Sequence, residues 1–187
     1  MRWIPFIILA YLLTLLQTTL GRLMVFHIDK LGLIGPDLLA LAAVYVALQA
    51  RSGMDVMLSG WLLGLGLDLT MGPGGSGNFV PGAMPVAYAL AAGMVFGLRE
   101  AFFRDRPLTQ IFTGLLFCIV AHGMWILLQA ALGFRGVRWA GLGHVLSQAA
   151  MLSMYTALLM PLGLYLLARC QRWLLVQPPA SYRRGQR

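Results

Sequence analysis

Apolar residues fall along this chain in six blocks of near-helical length, each ended by a short polar or glycine-rich stretch. The blocks cover roughly Trp3–Leu20, Pro36–Gln49, Met54–Met71, Val80–Leu98, Leu108–Leu132 and Leu142–Ala168. None shows the alternation of a membrane β-strand, so each block predicts a helix, the element that satisfies its own backbone N–H and C=O groups in lipid. The second block is short. At about 1.5 Å per residue it reaches only about 21 Å, against a hydrocarbon core of about 30 Å. Either it thins the bilayer locally, or Leu31–Gly35 enters as a non-helical lead-in buried against protein. Pro36 is expected at its first helical position, where a missing N–H costs nothing.

Composition strengthens this picture. The 187 residues are 59% hydrophobic and 11% charged, with mean hydropathy +0.78, where a soluble domain carries about 25% charged residues. The sequence therefore predicts an all-α polytopic membrane protein, a six-transmembrane-helix bundle. Residues 1–176 form one transmembrane domain, and 177–187, rich in Pro and Arg, a basic disordered tail. Trp3–Leu20 has the charge and apolarity of a signal sequence but is longer than an ordinary one and lacks a small-x-small site, so it is expected to stay as the first span. With the N-terminus inside, ten basic residues fall on the cytoplasmic side (Arg2, Arg51, Arg99, Arg104, Arg106, Arg169, Arg172, Arg183, Arg184, Arg187) and four outside (Arg22, Lys30, Arg135, Arg138). Both termini are thus expected in the cytoplasm. The net charge of +8 follows this topology rather than a nucleic-acid-binding face. Cys118 and Cys170 are too separated along the spans to predict a disulfide or a metal site.

Chemistry narrows to a few polar residues. Asp37 stands at the start of the second block, where a carboxylate can cap free N–H groups and is favoured by the helix dipole. Asp68 stands near the C-terminal end of the third, where its own helix dipole disfavours it. It shares an i, i+4, i+8 stripe with Gly60 and Gly64, which permit close helix approach. Asp68 is expected to be a polar lock, or else an interfacial acid, with Arg22, Arg138 and His144 as candidate partners. Asp68→Asn is accordingly expected to destabilise more than Asp37→Asn. His144 and Gln148, with Tyr155, share one side of the sixth block; Cys118, His122, Trp125 and Gln129 form a polar stripe on the fifth. Both stripes predict interhelical hydrogen bonds. Ala40, Ala43, Ala47 and Ala50, and Ala89, Gly93 and Gly97, are packing seams for this fold or for a partner's helix. The sequence has no HExxH, and Gly72–Asn78 lacks the Lys-Ser/Thr of a phosphate loop. No catalytic, cofactor or metal site is expected.

The Pro36-Asp37-Leu38-Leu39 stretch, the Val44–Leu48 run and Gly64-Leu65-Gly66-Leu67-Asp68 before a glycine-rich loop resemble the bacterial rod-shape-determining protein MreD family. The resemblance covers about residues 30–100. Gly35 precedes the Pro-Asp where many members have a basic residue, and Gly72-Pro73-Gly74-Gly75 replaces a commoner Gly/Pro-Leu-Gly pattern. It implies a bundle similar to the substrate-binding subunit fold of energy-coupling-factor transporters. It also implies a non-enzymatic scaffold in the cytoplasmic (inner) membrane, without cofactors. The implied partner is an MreC-like bitopic protein and, through it, MreB, RodA and a transpeptidase, with membrane lipid around it and a homo-oligomer left open. Pro36, Asp37, Gly64 and Asp68 match the family's Pro-Asp and Gly-x-x-x-Asp. The other reading is a small-solute-binding subunit of a vitamin-type transporter, with a pocket lined by His144, Gln148, Asp68 and Asn78.

Overall fold

The shortest apolar block becomes the centre of the molecule. The computed structural model describes residues 3–28, 32–71, 82–99, 107–131 and 142–169. These form helices α1 (Trp3–Leu23), α2 (Leu38–Gln49), α3 (Gly53–Met71), α4 (Ala83–Leu98), α5 (Pro107–Ala131) and α6 (Leu142–Arg169). A small antiparallel hairpin precedes α2: β1 (Phe26–Ile28) pairs with β2 (Gly32–Ile34), with His27 opposite Leu33. The glycine-rich loop, the Arg104–Arg106 loop, Arg135, Arg138 and the basic tail lie outside the described residues.

α2 touches all five other helices, and every residue from Leu39 to Leu48 is buried. Its sequence, LLALAAVYVALQ, is apolar on all sides, the pattern of a helix with no solvent or lipid face. The 12 residues of α2 rise about 18 Å, and neighbouring helices enclose nearly all of that length. Of the Leu31–Gly35 lead-in, Gly32–Ile34 form non-helical β2, which packs on α6, and Ile34 is buried; Leu31 lies outside the described residues. The alanine stripe of α2 is therefore enclosed by its own neighbours. Pro36 is not the first helical residue. Asp37, with extended backbone, is the N-cap, so Pro36 sits just before it. The fixed φ of proline there holds the approach to the cap rather than the helix.

The other helices form an arc around α2 in the order α1, α3, α4, α5, α6; among the described residues α1 and α6 do not meet. Adjacent helices in this arc approach closely. The glycines show where it happens. A Cβ on Gly60 would lie 2.8 Å from the Tyr88 carbonyl oxygen, and one on Gly64 2.7 Å from that of Met84. The Gly60/Gly64 stripe is thus filled by α4, backbone against backbone, and is not left open for a partner's helix. Gly163 admits Leu41 between α6 and α2 in the same way.

The outward faces are apolar. Ile4, Ile7 and Tyr11 on α1, Leu108, Phe112 and Leu127 on α5, and Met154, Leu158 and Leu162 on α6 are all exposed. α5 and the Gly143–Arg169 part of α6 are long and apolar enough to cross a membrane; Trp3–Thr19, Leu38–Gln49 and Ala83–Leu98 are shorter apolar helices. The fold is helical with one hairpin, and two of its helices are candidate membrane spans.

Candidate functional site

The N-terminus of α2 lies inside the bundle, about halfway along it, because Asp37 meets Thr156 in the middle of the 28-residue α6. A buried helix start exposes N–H groups that must find acceptors. Here each one does. The Asp37 Oδ1 accepts from the Leu39 and Ala40 N–H groups, both at 3.0 Å. The Leu38 N–H donates to Gln17 Oε1 at 2.8 Å, while Gln17 Nε2 donates to the Pro36 carbonyl at 2.9 Å. The Asp37 N–H donates to Thr156 Oγ1 at 3.1 Å, and the Leu41 N–H closes on the Asp37 carbonyl at 3.4 Å. The second carboxylate oxygen accepts from the Tyr88 hydroxyl. Asp37 is 4% exposed; it ties α4 and α6 to the start of α2, while Gln17 ties α1 there through the neighbouring Pro36 and Leu38 backbone.

A second set of polar groups adjoins it. Tyr88 packs edge-on against Phe117, ring centres 5.2 Å apart. On the same helix as Phe117, His122 places Nδ1 2.8 Å from the Cys118 carbonyl and 3.2 Å from Ser153 Oγ. A carbonyl only accepts, so Nδ1 carries the proton. Ser153 donates its own proton to the Ala149 carbonyl at 2.7 Å. Serine, histidine and aspartate thus come close without forming a catalytic triad. The nitrogen that faces Ser153 is already protonated and cannot take the hydroxyl proton. The cluster ties α5 to α6. The polar stripe expected on the fifth block does face inward, with Cys118, His122 and Gln129 all buried.

Asp68 occupies the end of the bundle away from Ala50 and is 7% exposed. Its Oδ2 accepts from the Gly82 N–H at 2.7 Å, and the Met84 N–H adds a weaker contact. Gly82 is the N-cap of α4, with φ +97° and no side chain to serve as a cap. Asp68 supplies that cap from α3. The carboxylate that its own dipole disfavours sits against the favourable end of the next helix. Its expected partners are displaced accordingly. His144 is exposed on α6, and α3 and α6 share no contact among the described residues; Arg138 lies outside those residues, and of Arg22 only the backbone is described. Gln148 is half-buried on α6, so the set Asp68, His144 and Gln148 is not brought together, and Asn78 lies outside the described residues.

At its other end α2 meets Arg99, whose guanidinium donates to the Ala50 carbonyl and lies 4.1 Å over the Phe96 ring. The helix is therefore flanked by a carboxylate at its start and a cation at its end, both favourable to its dipole. Sequence reasoning passed over Gln17, Tyr88, Thr156 and Ser153. Their common signal was available: single polar groups inside apolar blocks, which face the interior when the surroundings are lipid. Among the described residues no three His, Cys, Asp or Glu side chains converge as a metal site would require. Searches of protein-family models, curated proteins and solved structures each match nothing for this chain.

Proposed function

We propose that this protein is a non-enzymatic, six-span scaffold of the MreD type in a bacterial cytoplasmic membrane, with both termini in the cytoplasm. It acts by binding an MreC-like bitopic partner and, through it, by coupling MreB filaments inside to peptidoglycan synthesis by RodA and a transpeptidase outside. One observation carries the reading. The two motifs behind the resemblance, Pro36-Asp37 and Gly64-x-x-x-Asp68, are the two helix junctions on which the bundle is built. Their roles in capping and close packing suit a protein that acts through its shape. The apolar outward faces support lipid around most of the perimeter.

The test is co-purification from detergent with a co-expressed single-span, coiled-coil partner of the MreC type. Variants belong on outward faces, such as Leu90→Trp on α4 or Leu127→Trp on α5, because Gly60 and Gly64 are spent on internal packing. Stable capture of the partner, lost in at least one outward-face variant at unchanged melting temperature, is the expected result. No capture, together with a thermal shift on adding a vitamin-like solute, overturns the scaffold in favour of a transporter subunit. The present geometry favours the scaffold, since the polar groups at mid-depth are bonded to one another and the start of α2 is occupied by its own carboxylate.

A further inference from the structure

The helices on the perimeter offer lipid very different apolar lengths. α5 carries no charged residue over its 25 positions, and the 28-residue α6 carries none before Arg169, its last. At about 1.5 Å per residue they reach about 37 Å and about 42 Å. Their exposed large apolar side chains run from Leu108 to Leu127 on α5 and from Leu146 to Leu166 on α6. α4, packed directly beside α5, has only 16 residues, a reach of about 24 Å. Its exposed large apolar side chains run only from Val86 to Met94. On its other side, α3 has Asp55 in its first turn and Asp68 near its end. Residues 56–67 between those two acids rise only about 18 Å.

A helix longer than the hydrocarbon core fits by tilting, whereas tilting a short helix only reduces its reach. A short helix draws the bilayer in, extends flanking side chains to the headgroups, or gathers a neighbour. Arg99 is not extended in that way, because its guanidinium is turned onto the Ala50 carbonyl and the Phe96 ring. At the other end the Gly82 N–H is tied to Asp68, and Gly60 and Gly64 hold α4 against α3 between the two ends. Against a core of about 30 Å, α4 falls short by about 6 Å. We propose that the α3–α4 face thins the bilayer beside it and collects short-chain phospholipids, while α5 and α6 take lipid of full thickness. What this surface recognises is hydrocarbon length, with no requirement on the headgroup. The inference rests on the six-span reading given above, since it requires α4 to cross the membrane.

Quenching by brominated lipid tests it on the full chain, one copy per nanodisc, with Cys170→Ser and buried Cys118 retained. The discs hold equal amounts of dimyristoleoyl and dierucoyl phosphatidylcholine, and only one of the two is brominated. A fluorophore is attached at Leu90→Cys on α4 or at Ile119→Cys on α5; Val86→Cys and Phe112→Cys give a second, independent pair, and all four positions are exposed. With the short lipid brominated, the α4 labels are expected to be quenched at least about twofold more strongly than the α5 labels. With the long lipid brominated the order reverses. Equal quenching of the two faces by either lipid overturns the proposal, as does preference of the α4 face for the long one. When both lipids are brominated, every label is quenched if the helices lie in the bilayer. Failure of the α4 labels to respond there overturns the six-span reading itself, and this inference with it.

Discussion

Asp37 and Asp68 are both buried carboxylates that accept hydrogen bonds from the first turn of a helix, yet they belong to different levels of the structure. Asp37 caps the helix that follows it in the chain, and its two oxygens and its N–H bind groups from α2, α4 and α6. Asp68 caps a helix other than its own, through one close bond to the Gly82 N–H. Removing Asp37 strands a tyrosine hydroxyl and two amides deep in the bundle. Removing Asp68 releases one loop-adjacent amide near an end. The difference teaches that the cost of a buried acid depends on how many buried donors rely on it. Its own helix dipole, the criterion the sequence offered, ranks the two in the order opposite to the one that their hydrogen bonds predict.

Substitutions at four positions sharpen the contrast. Asp37→Ala is expected to cost about 3 kcal/mol, combining a lost N-cap with an unsatisfied Tyr88 hydroxyl, measured by reversible unfolding in mixed micelles. A cost equal to that of Asp68→Ala would break the comparison. Gly64→Leu follows at about 2–3 kcal/mol, since the new side chain must displace the α4 backbone at Met84; unchanged stability would show that α3 and α4 are not in backbone contact. Asp68→Ala should cost about 1 kcal/mol, the worth of a single cap, with amide exchange accelerated at Gly82 and not at Leu39. The smallest effect belongs to Gly97→Ala. Nothing lies within 4 Å of a Cβ there, so alanine should leave stability unchanged or raise it by up to about 1 kcal/mol through helix propensity.

Much of the fold was legible because lipid-compatible helices announce themselves as apolar blocks. The helix bounds of the fifth and sixth blocks moved by only a residue. The cap at Asp37 was legible too, since capping is local and Pro36-Asp37 before an apolar run carries it. The enclosure of α2 was written in its all-round apolarity, yet length alone could not say whether a short apolar helix thins the bilayer or hides from it. What escaped was non-local. Asp68 reaches Gly82 only because Gly60 and Gly64 bring α3 onto α4, and Tyr88 and Thr156 reach Asp37 from residues 51 and 119 positions away. The hairpin of Phe26–Ile28 and Gly32–Ile34 was missed, because the three residues between the strands, Asp29-Lys30-Leu31, carry no glycine or Asn-Gly-type turn signal.

The measurement that tests this account most directly is a double-mutant cycle between Asp37→Asn and Tyr88→Phe, read as unfolding free energy in micelles. If the start of α2 is held at mid-depth by that contact, the two substitutions together should cost less than the sum of each alone, with a coupling of at least about 1 kcal/mol. Strict additivity would mean that Tyr88 and Asp37 do not share a bond, and the hub at the centre of the bundle would be lost.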